Sequence, residues 1–179
     1  DRHAPERVAL QPALDDALAL LAKRRRAMDV ELIRDLPDAT LWVQAGETRL
    51  RQVLGNLLGN ALDALVDRAP QRRIWISVEH QAEYLHLLLR DNGPGFSPES
   101  LARAREPFFT TKTSAQGLGL GLAICDSLVR ALDGEEGGFA MVYDPGLGDV
   151  FRAAPILEDI KRERGDDIQT PYFLILLSL

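Results

Sequence analysis

Three polar side chains share one face of a predicted helix in the first half of the chain. Asn56, Asn60 and Asp63 follow one another at spacings of four and three residues, which stacks them in one column within residues 49–65. Two amides and a carboxylate present the oxygen atoms that a hard cation such as Mg²⁺ binds. A solvated helix face normally carries Lys and Glu, so the column favours a binding role.

The rest of that segment has the pattern of a buried helix. Its apolar residues recur at helical spacing and must pack against another element: Leu50, Val53, Leu54, Leu57, Leu58, Ala61, Leu62 and Leu65. Gly55 and Gly59 lie beside the polar column, and each costs the helix about 1 kcal/mol relative to Ala. Their placement is explained if a ligand or another backbone comes close. On this stretch alone, an ordinary core helix with a polar side is an equally good interpretation.

A carboxylate stands at the end of a predicted strand further along. Residues 84–90 run into Asp91, which is followed by Gly93 and Gly95 in the sequence DNGPG. The carboxylate can accept hydrogen bonds from a planar ligand while the glycines let the backbone close against it. The same turn can also simply end a strand. A calcium loop is excluded because the alternating acidic ligands and the closing Glu are absent.

A further group of glycines opens a predicted helix. Gly117, Gly119 and Gly121 alternate with Leu118 and Leu120. Backbone N–H groups exposed at a glycine-rich helix start, together with the helix dipole, favour an anion. No Gly-Lys-Ser/Thr follows, which excludes a P-loop. A loop rather than a strand precedes, which excludes a dinucleotide-binding fingerprint.

The polar segment between these motifs, residues 97–116, is predicted to be a mobile lid. It contains the sequence PFFTTK. Phe108 and Phe109 are expected to pin the loop by local packing, and Lys112 is either solvated or in contact with phosphate. The neighbouring glycines can serve as hinges, so a bound ligand is expected to order the segment.

The composition indicates one globular domain. The 179 residues are 46% hydrophobic and 27% charged, and the formal net charge of −6 argues against nucleic acid as a partner. Cys125 is the single cysteine, which excludes an internal disulfide and fits a cytoplasmic, reducing compartment. No apolar run is long enough to cross a bilayer, so we expect no membrane insertion of this fragment.

The sequence predicts a mixture of strands and helices along the chain. Strands are predicted at 8–11, 30–36, 40–44, 74–79, 84–90, 139–143 and 149–154, and helices at 12–28, 49–68, 97–106 and 120–132. The strands at 74–79 and 84–90 form a hairpin, as do the last two, and a turn at Pro37 and Asp38 joins the second strand to the third. The basic run 23–26 is interpreted as a solvated helix end. The apolar end, 171–179, either docks on the domain or has no role that the sequence explains.

Taken together and in this order, the motifs resemble those of the catalytic and ATP-binding domain of two-component sensor histidine kinases, in the GHKL superfamily. The helix resembles the N box, DNGPGF the first glycine box, PFFTTK the F box and GLGLGL the second glycine box. The resemblance runs from about residue 8 to 155, so we predict a catalytic domain at 1–155 and a tail of unknown role at 156–179. NALDAL and TTK are most similar to the nitrogen- and dicarboxylate-sensing branch.

The resemblance implies a fold and a set of contacts. The fold is a two-layer α/β (α+β) sandwich, in which a mixed, largely antiparallel sheet carries three helices on one face and ATP lies under the lid. Asn60 is implied to coordinate Mg²⁺, Asn56 to lie near the same phosphates, and Asp91 to accept the adenine amino group. The implied nucleotide site also contains Asp63, Gly93, Gly95, Phe108, Phe109, Thr110, Thr111, Lys112, Gly117, Leu118, Gly119, Leu120 and Gly121. Asn56 and Lys112 are the catalytic candidates, because phosphoryl transfer needs positioning and charge neutralisation.

The implied partners are a dimerisation domain with the phosphoacceptor histidine and a downstream response regulator. No segment here resembles the phosphoacceptor helix, and His3 is rejected because Pro5 follows closely. Since the first residue is Asp, we expect the chain to begin after the dimerisation hairpin of a larger protein, for which an inner-membrane sensor is the candidate.

The sequence departs from the family pattern at two positions. Many sensor kinases carry Lys where Asp63 stands and Asp where Gly46 stands. The first difference leaves open which cation faces the phosphates, and the second removes a helix-capping carboxylate.

Two alternative functions are considered. An ATP-hydrolysing machine like DNA gyrase or MutL places Glu where this chain has Asn56, and an amide cannot act as a general base. The other alternative is a regulatory module that binds ATP without transferring its phosphate.

Overall fold

The computed structural model describes residues 6–68, 70–81, 84–93, 141–144 and 172–178. Within them the chain forms β1 Arg7–Ala9, α1 Leu10–Ala27, β2 Val30–Asp35, β3 Trp42–Gln44, α2 Glu47–Ala64, β4 Arg72–Gln81, β5 Tyr84–Asp91, β6 Met141–Asp144 and β7 Tyr172–Ser178. The helices predicted at 97–106 and 120–132 and the predicted lid lie outside the described residues.

The described strands form one sheet in which most neighbours run antiparallel. The order is β1-β3-β7-β5-β4-β2, and β6 pairs with β7 beside that path. Among the described strands, only β2 and β4 are parallel neighbours. The predicted mixed, largely antiparallel sheet and the predicted β4–β5 hairpin are therefore confirmed.

The hydrophobic core joins the sheet to the two helices. Leu85, Leu87 and Leu89 of β5 are buried together with Ile74 and Ile76 of β4, because alternate residues of a strand share a face. Every predicted apolar position of α2 is also buried: Leu50, Val53, Leu54, Leu57, Leu58, Ala61, Leu62 and Leu65. The apolar face predicted for this helix is thus confirmed.

Arg72, the first residue of β4, ties the ends of both helices to the sheet. Its guanidinium donates to the carbonyl oxygens of Leu65 and Val66 after α2, at 2.7 and 2.9 Å, and of Met28 after α1, at 2.7 Å. The last carbonyls of a helix have no partner within the helix, so one cation here satisfies both ends. At its other end, α2 has no side-chain cap, because the residue before its first helical residue is Gly46, as the sequence predicts.

The strands β2 and β3 are joined along the chain but are not neighbours in the sheet. β2 pairs with β4 at one end of the sheet, whereas β3 pairs with β1 near the other. The Gln11 side chain of α1 holds the connection: it donates to the Ala39 carbonyl at 2.7 Å and accepts from the Leu41 N–H at 2.8 Å. This tie draws the chain past α1 and away from β2.

The apolar end of the chain supplies β7, which pairs along its length with β5. The register sets Phe173 opposite Leu89, Ile175 opposite Leu87 and Leu177 opposite Leu85. The apolar chain end thus docks on the domain by joining its sheet. The domain boundary at residue 155 stays a prediction. β6 covers the last part of the predicted strand 139–143, but its partner is β7, and residues 149–154 lie outside the described residues.

Candidate functional site

α2 carries the predicted polar column on a face that the core does not use. Asn56, Asn60 and Asp63 are half-buried, between the fully buried apolar positions. The Asn56 Nδ2 atom is buried yet has no hydrogen-bond partner among the described residues. Leaving a buried amide N–H unpaired costs about 1–3 kcal/mol. The column therefore presents a donor that an acceptor such as a phosphate oxygen would satisfy.

Gly55 and Gly59 leave the surface beside this column open. A Cβ atom built at either position has no heavy atom within 4 Å apart from the helix itself. Within the described part of the chain, no other backbone makes the close approach that glycine would permit. Space for a ligand is the explanation that these two positions support.

Asp91 is the buried carboxylate of the site. It ends β5 opposite Ile74, and only 4% of it is exposed. The Gly93 N–H donates to its Oδ1 at 2.8 Å. Burial raises the pKa of Asp91 to about 6, although this hydrogen bond and the charges of Arg68 and Arg90 act to lower it. A desolvated carboxylate with a perturbed pKa at the end of a strand is a candidate for ligand recognition.

Gly93 sets the distance between this carboxylate and α2. A Cβ atom at Gly93 would lie 2.7 Å from Asp91 Oδ1 and 2.9 Å from the carbonyl oxygen of Ala64. A larger residue would push the strand end away from the helix, so glycine is required by the close approach. Ala64 lies one helical turn after Asn60. The buried carboxylate and the polar column therefore belong to one site.

The side chain of Asn92, which the sequence analysis did not single out, holds the turn that carries Asp91. Its Oδ1 accepts from the Arg73 N–H at 2.8 Å, and its Nδ2 donates to the Gln71 carbonyl at 2.6 Å. Gln71 has a φ of 75°, which is uncommon for a residue other than glycine. The only signal in the sequence was the Asn within the glycine motif, because its partners Gln71 and Arg73 lie about twenty residues earlier, around the start of β4.

Asp63 forms an ion pair with Arg24 of α1. Arg24 belongs to the basic run interpreted as a solvated helix end, and its neighbour Arg25 donates to the Val30 carbonyl at 3.1 Å. Both arginines are thus engaged with the protein. No local pattern predicts the pairing of Arg24, because its partner lies on the other helix.

The structure brings together five predicted site residues: Asn56, Asn60, Asp63, Asp91 and Gly93. The others lie outside the described residues: Gly95, Phe108, Phe109, Thr110, Thr111, Lys112, Gly117, Leu118, Gly119, Leu120 and Gly121. In the part of the chain that the structure describes, no three His, Cys, Asp or Glu side chains gather as a metal site. Neither described helix is long and apolar enough to cross a membrane.

Comparison with protein families identifies the class to which this site belongs. Residues 45–155, more than half of the chain, match the model of the histidine kinase-, DNA gyrase B- and HSP90-like ATPases. The matched range includes α2, Asp91 and the glycine motifs. The chain therefore belongs to this family of ATPases.

A sensor protein and two solved kinase structures define its closer similarities. The chain is 68% identical over 133 residues to the C4-dicarboxylate transport sensor protein DctB of Pseudomonas aeruginosa, which covers 74% of this chain and 22% of DctB. It thus spans about a fifth of the length of that relative. The catalytic domain of the histidine kinase ThkA has a TM-score of 0.72 at 22% identity, covering 98% of this chain and 96% of that one.

ThkA in complex with the response regulator TrrA gives a TM-score of 0.66 at 20% identity, covering 97% of this chain and 41% of that one. The chain has the fold of histidine kinase catalytic domains. The predicted fold class and the predicted resemblance to sensor histidine kinases are both confirmed.

Proposed function

We propose that this chain is the kinase domain of a two-component sensor, which binds ATP and transfers its γ-phosphate to a histidine on a separate dimerisation domain. The observation that carries the proposal is the approach of Gly93 to Ala64, which joins a buried carboxylate to a column of amides on α2. Membership of the ATPase family and the fold of histidine kinase catalytic domains support it.

Asp91 selects the adenine base in this proposal. Its carboxylate accepts a hydrogen bond from the exocyclic amino group, while Asn92 keeps the turn in place. A hydrogen bond to a charged group contributes about 1.5–3 kcal/mol. Guanine carries a carbonyl oxygen at the corresponding position, which would oppose the carboxylate, so the site favours ATP over GTP.

The amides of α2 bind the triphosphate end of the nucleotide. Asn56 Nδ2 donates to a phosphate oxygen, which gives this buried atom a partner that it does not have among the described residues. Asn60 offers its amide oxygen to Mg²⁺, which neutralises phosphate charge when bound. Mg²⁺ keeps several waters and takes few protein ligands beside substrate phosphates, so one amide oxygen fits this role. Lys112 and the lid residues complete the site as predicted from the sequence.

Transfer is favoured over hydrolysis by the residue at position 56. An amide cannot remove a proton from water, so Asn56 can orient phosphate without activating a hydrolytic water. Phosphoryl transfer mainly requires a nucleophile held in line with the γ-phosphate. The dimerisation domain supplies that nucleophile as a histidine.

We infer that the parent protein is an inner-membrane sensor and that a response regulator receives the phosphate downstream. The similarity to a transport sensor supports the first inference, and the fold shared with a kinase that was solved with its regulator supports the second. By its likeness to DctB, the signal is inferred to be a C4-dicarboxylate. The kinase domain itself is assigned to the cytoplasm.

Incubation with radiolabelled ATP tests the proposed transfer. The chain alone should bind ATP without labelling itself, because none of its three histidines has the setting of a phosphoacceptor. Addition of the dimerisation hairpin of the parent protein should give a labelled hairpin. The reaction should be slow because the effective concentration that a tether provides is absent. A hairpin in which the phosphoacceptor histidine is replaced by Gln is the control.

Three other outcomes would contradict phosphotransfer. Rapid phosphate release without labelling would indicate a GHKL-type hydrolase. ATP binding with neither labelling nor phosphate release in the presence of the hairpin would indicate a regulatory module. Stable labelling of the chain alone would show that His3, His80 or His86 accepts phosphate.

Replacing Asn60 with Ala should remove most of the Mg²⁺ dependence of ATP binding. The expected reason is the loss of the amide oxygen that binds the cation beside the phosphates. Calorimetric titration with ATP, with and without Mg²⁺, measures the effect. Asn60→Asp keeps an oxygen at this position and should retain a clear Mg²⁺ dependence. If Asn60→Ala responds to Mg²⁺ as the parent does, the metal ligand lies elsewhere.

A further inference from the structure

The ion pair between α1 and α2 is a charged feature of the site that the proposed transfer does not use. Arg24 donates through Nη2 to Asp63 Oδ1. Asp63 lies three residues after Asn60, so the pair stands at the end of the amide column on the same helix face. The Arg24 side chain is 37% exposed and that of Asp63 is 23% exposed.

The Arg24 guanidinium has donors to spare at this position. Arginine carries five N–H donors, and within the described residues Arg24 uses only Nη2, toward Asp63. Its exposure leaves the other donors accessible at the edge of the column. A planar guanidinium can bind two phosphate oxygens at once, which makes it well suited to a polyphosphate.

The charge of the described part of the site also favours this role. Asn56 and Asn60 are neutral and Asp63 is a carboxylate, so the column without Arg24 would present negative charge to a polyanion. The ion pair neutralises Asp63 and adds donors beside it. We propose that the Arg24 guanidinium binds the polyphosphate of the nucleotide and that Asp63 is the positioning residue that holds it there, an inference that rests on the proposed function.

The test compares ATP with adenosine, which has the same base and lacks the phosphates. Both are titrated calorimetrically, with Mg²⁺ present, into the 179-residue chain and its variants. Arg24→Met should weaken ATP binding roughly tenfold to hundredfold and leave adenosine binding unchanged. Arg24→Lys should recover part of the loss, because Lys keeps the charge without the planar fork.

The positioning role of Asp63 is tested in the same titrations. Asp63→Asn should weaken ATP binding, and the double variant Arg24→Met, Asp63→Asn should lose little more than Arg24→Met alone, because both changes act through one guanidinium. Arg34→Met is the matched control: Arg34 is 35% exposed and pairs with Asp15 on α1. Its affinity for ATP should equal that of the parent.

Several results would overturn the inference. If Arg24→Met keeps the parent's ratio of ATP to adenosine affinity, the ion pair only joins the two helices. If Asp63→Asn binds ATP more tightly, the carboxylate repels the phosphates instead of holding a cation for them. The ratio is taken within each protein, so a partial loss of folded molecules cancels. A parent chain that binds neither ATP nor adenosine would overturn the proposed function and this inference with it.

Discussion

Replacing Asp91 with Asn should make the empty domain more stable at neutral pH and weaken its binding of ATP. Asn has the shape of the neutral acid and avoids the burial of a charge. The rise of the Asp91 pKa from 3.8 to about 6 corresponds to about 3 kcal/mol, the largest gain expected. ATP should bind more weakly by about 1.5–3 kcal/mol. If the Asn oxygen accepts from the Gly93 N–H, its amide nitrogen faces the adenine amino group, and two donors oppose each other.

The stability difference should depend on pH with a defined sign. Because the pKa of Asp91 in the folded state is raised above 3.8, its contribution to stability is fully present below that pH and is lost as the pH rises through about 6. The gap in melting temperature between Asp91→Asn and the parent should therefore be small near pH 4, widen up to about pH 6 and level off above it. Thermal melts without nucleotide measure this gap.

Asp38→Asn is the control for the loss of one negative charge, since Asp38 is exposed. Its melting temperature relative to the parent should not follow the same widening curve. A gap for Asp91→Asn that stays constant from pH 4 to 8 would show that ionisation of Asp91 has no cost in the fold. An ATP affinity equal to that of the parent would remove Asp91 from the base-binding site.

Ending the chain at residue 171, before β7, should abolish cooperative unfolding. β5 pairs with β7 over seven residues, from Tyr84 opposite Ser178 to Arg90 opposite Tyr172. Without β7 the backbone N–H and C=O groups on that side of β5 lose their partners, and β6 loses the strand with which it pairs. A domain of this size is stable by about 5–15 kcal/mol, which the loss of an internal strand is expected to exceed. Urea titration followed by circular dichroism measures the transition.

Removal of Leu179 alone is the control, because β7 ends at Ser178. That variant should unfold with the midpoint of the parent. Cooperative unfolding at the parent's midpoint in the chain that ends at 171 would show that β7 is dispensable. The same result in a chain that ends at 155 would establish the domain boundary predicted from the sequence.

The features that the sequence predicted well depend on local patterns. Leu85, Leu87 and Leu89 alternate, and the apolar residues of α2 recur at helical spacing, so each pattern contains the information that places those residues in the core. Asp91 was found for a similar reason, since a carboxylate at a strand end before glycines is visible in a few consecutive residues.

The features that were missed depend on partners far along the chain. Arg24 looked like part of a solvated run because Asp63 lies on the other helix. The side chain of Asn92 looked like an ordinary turn residue because its partner Gln71 precedes β4. The composition of the chain end suggested an apolar segment, but its position beside β5 follows only from the complete sheet.

The position of β7 has a consequence for the order in which the domain can form during its synthesis. Gln44 of β3 pairs with Ser178 of β7, so two strands that are far apart in this sequence must meet. Contacts between distant parts of a chain slow folding, because the intervening loop must be closed first. Until residues 172–178 leave the ribosome, β5 has one unpaired edge, and such edges favour association with other chains. During this interval the exposed backbone edge of β5 is the part of the sheet at which we expect the nascent domain to be most prone to association.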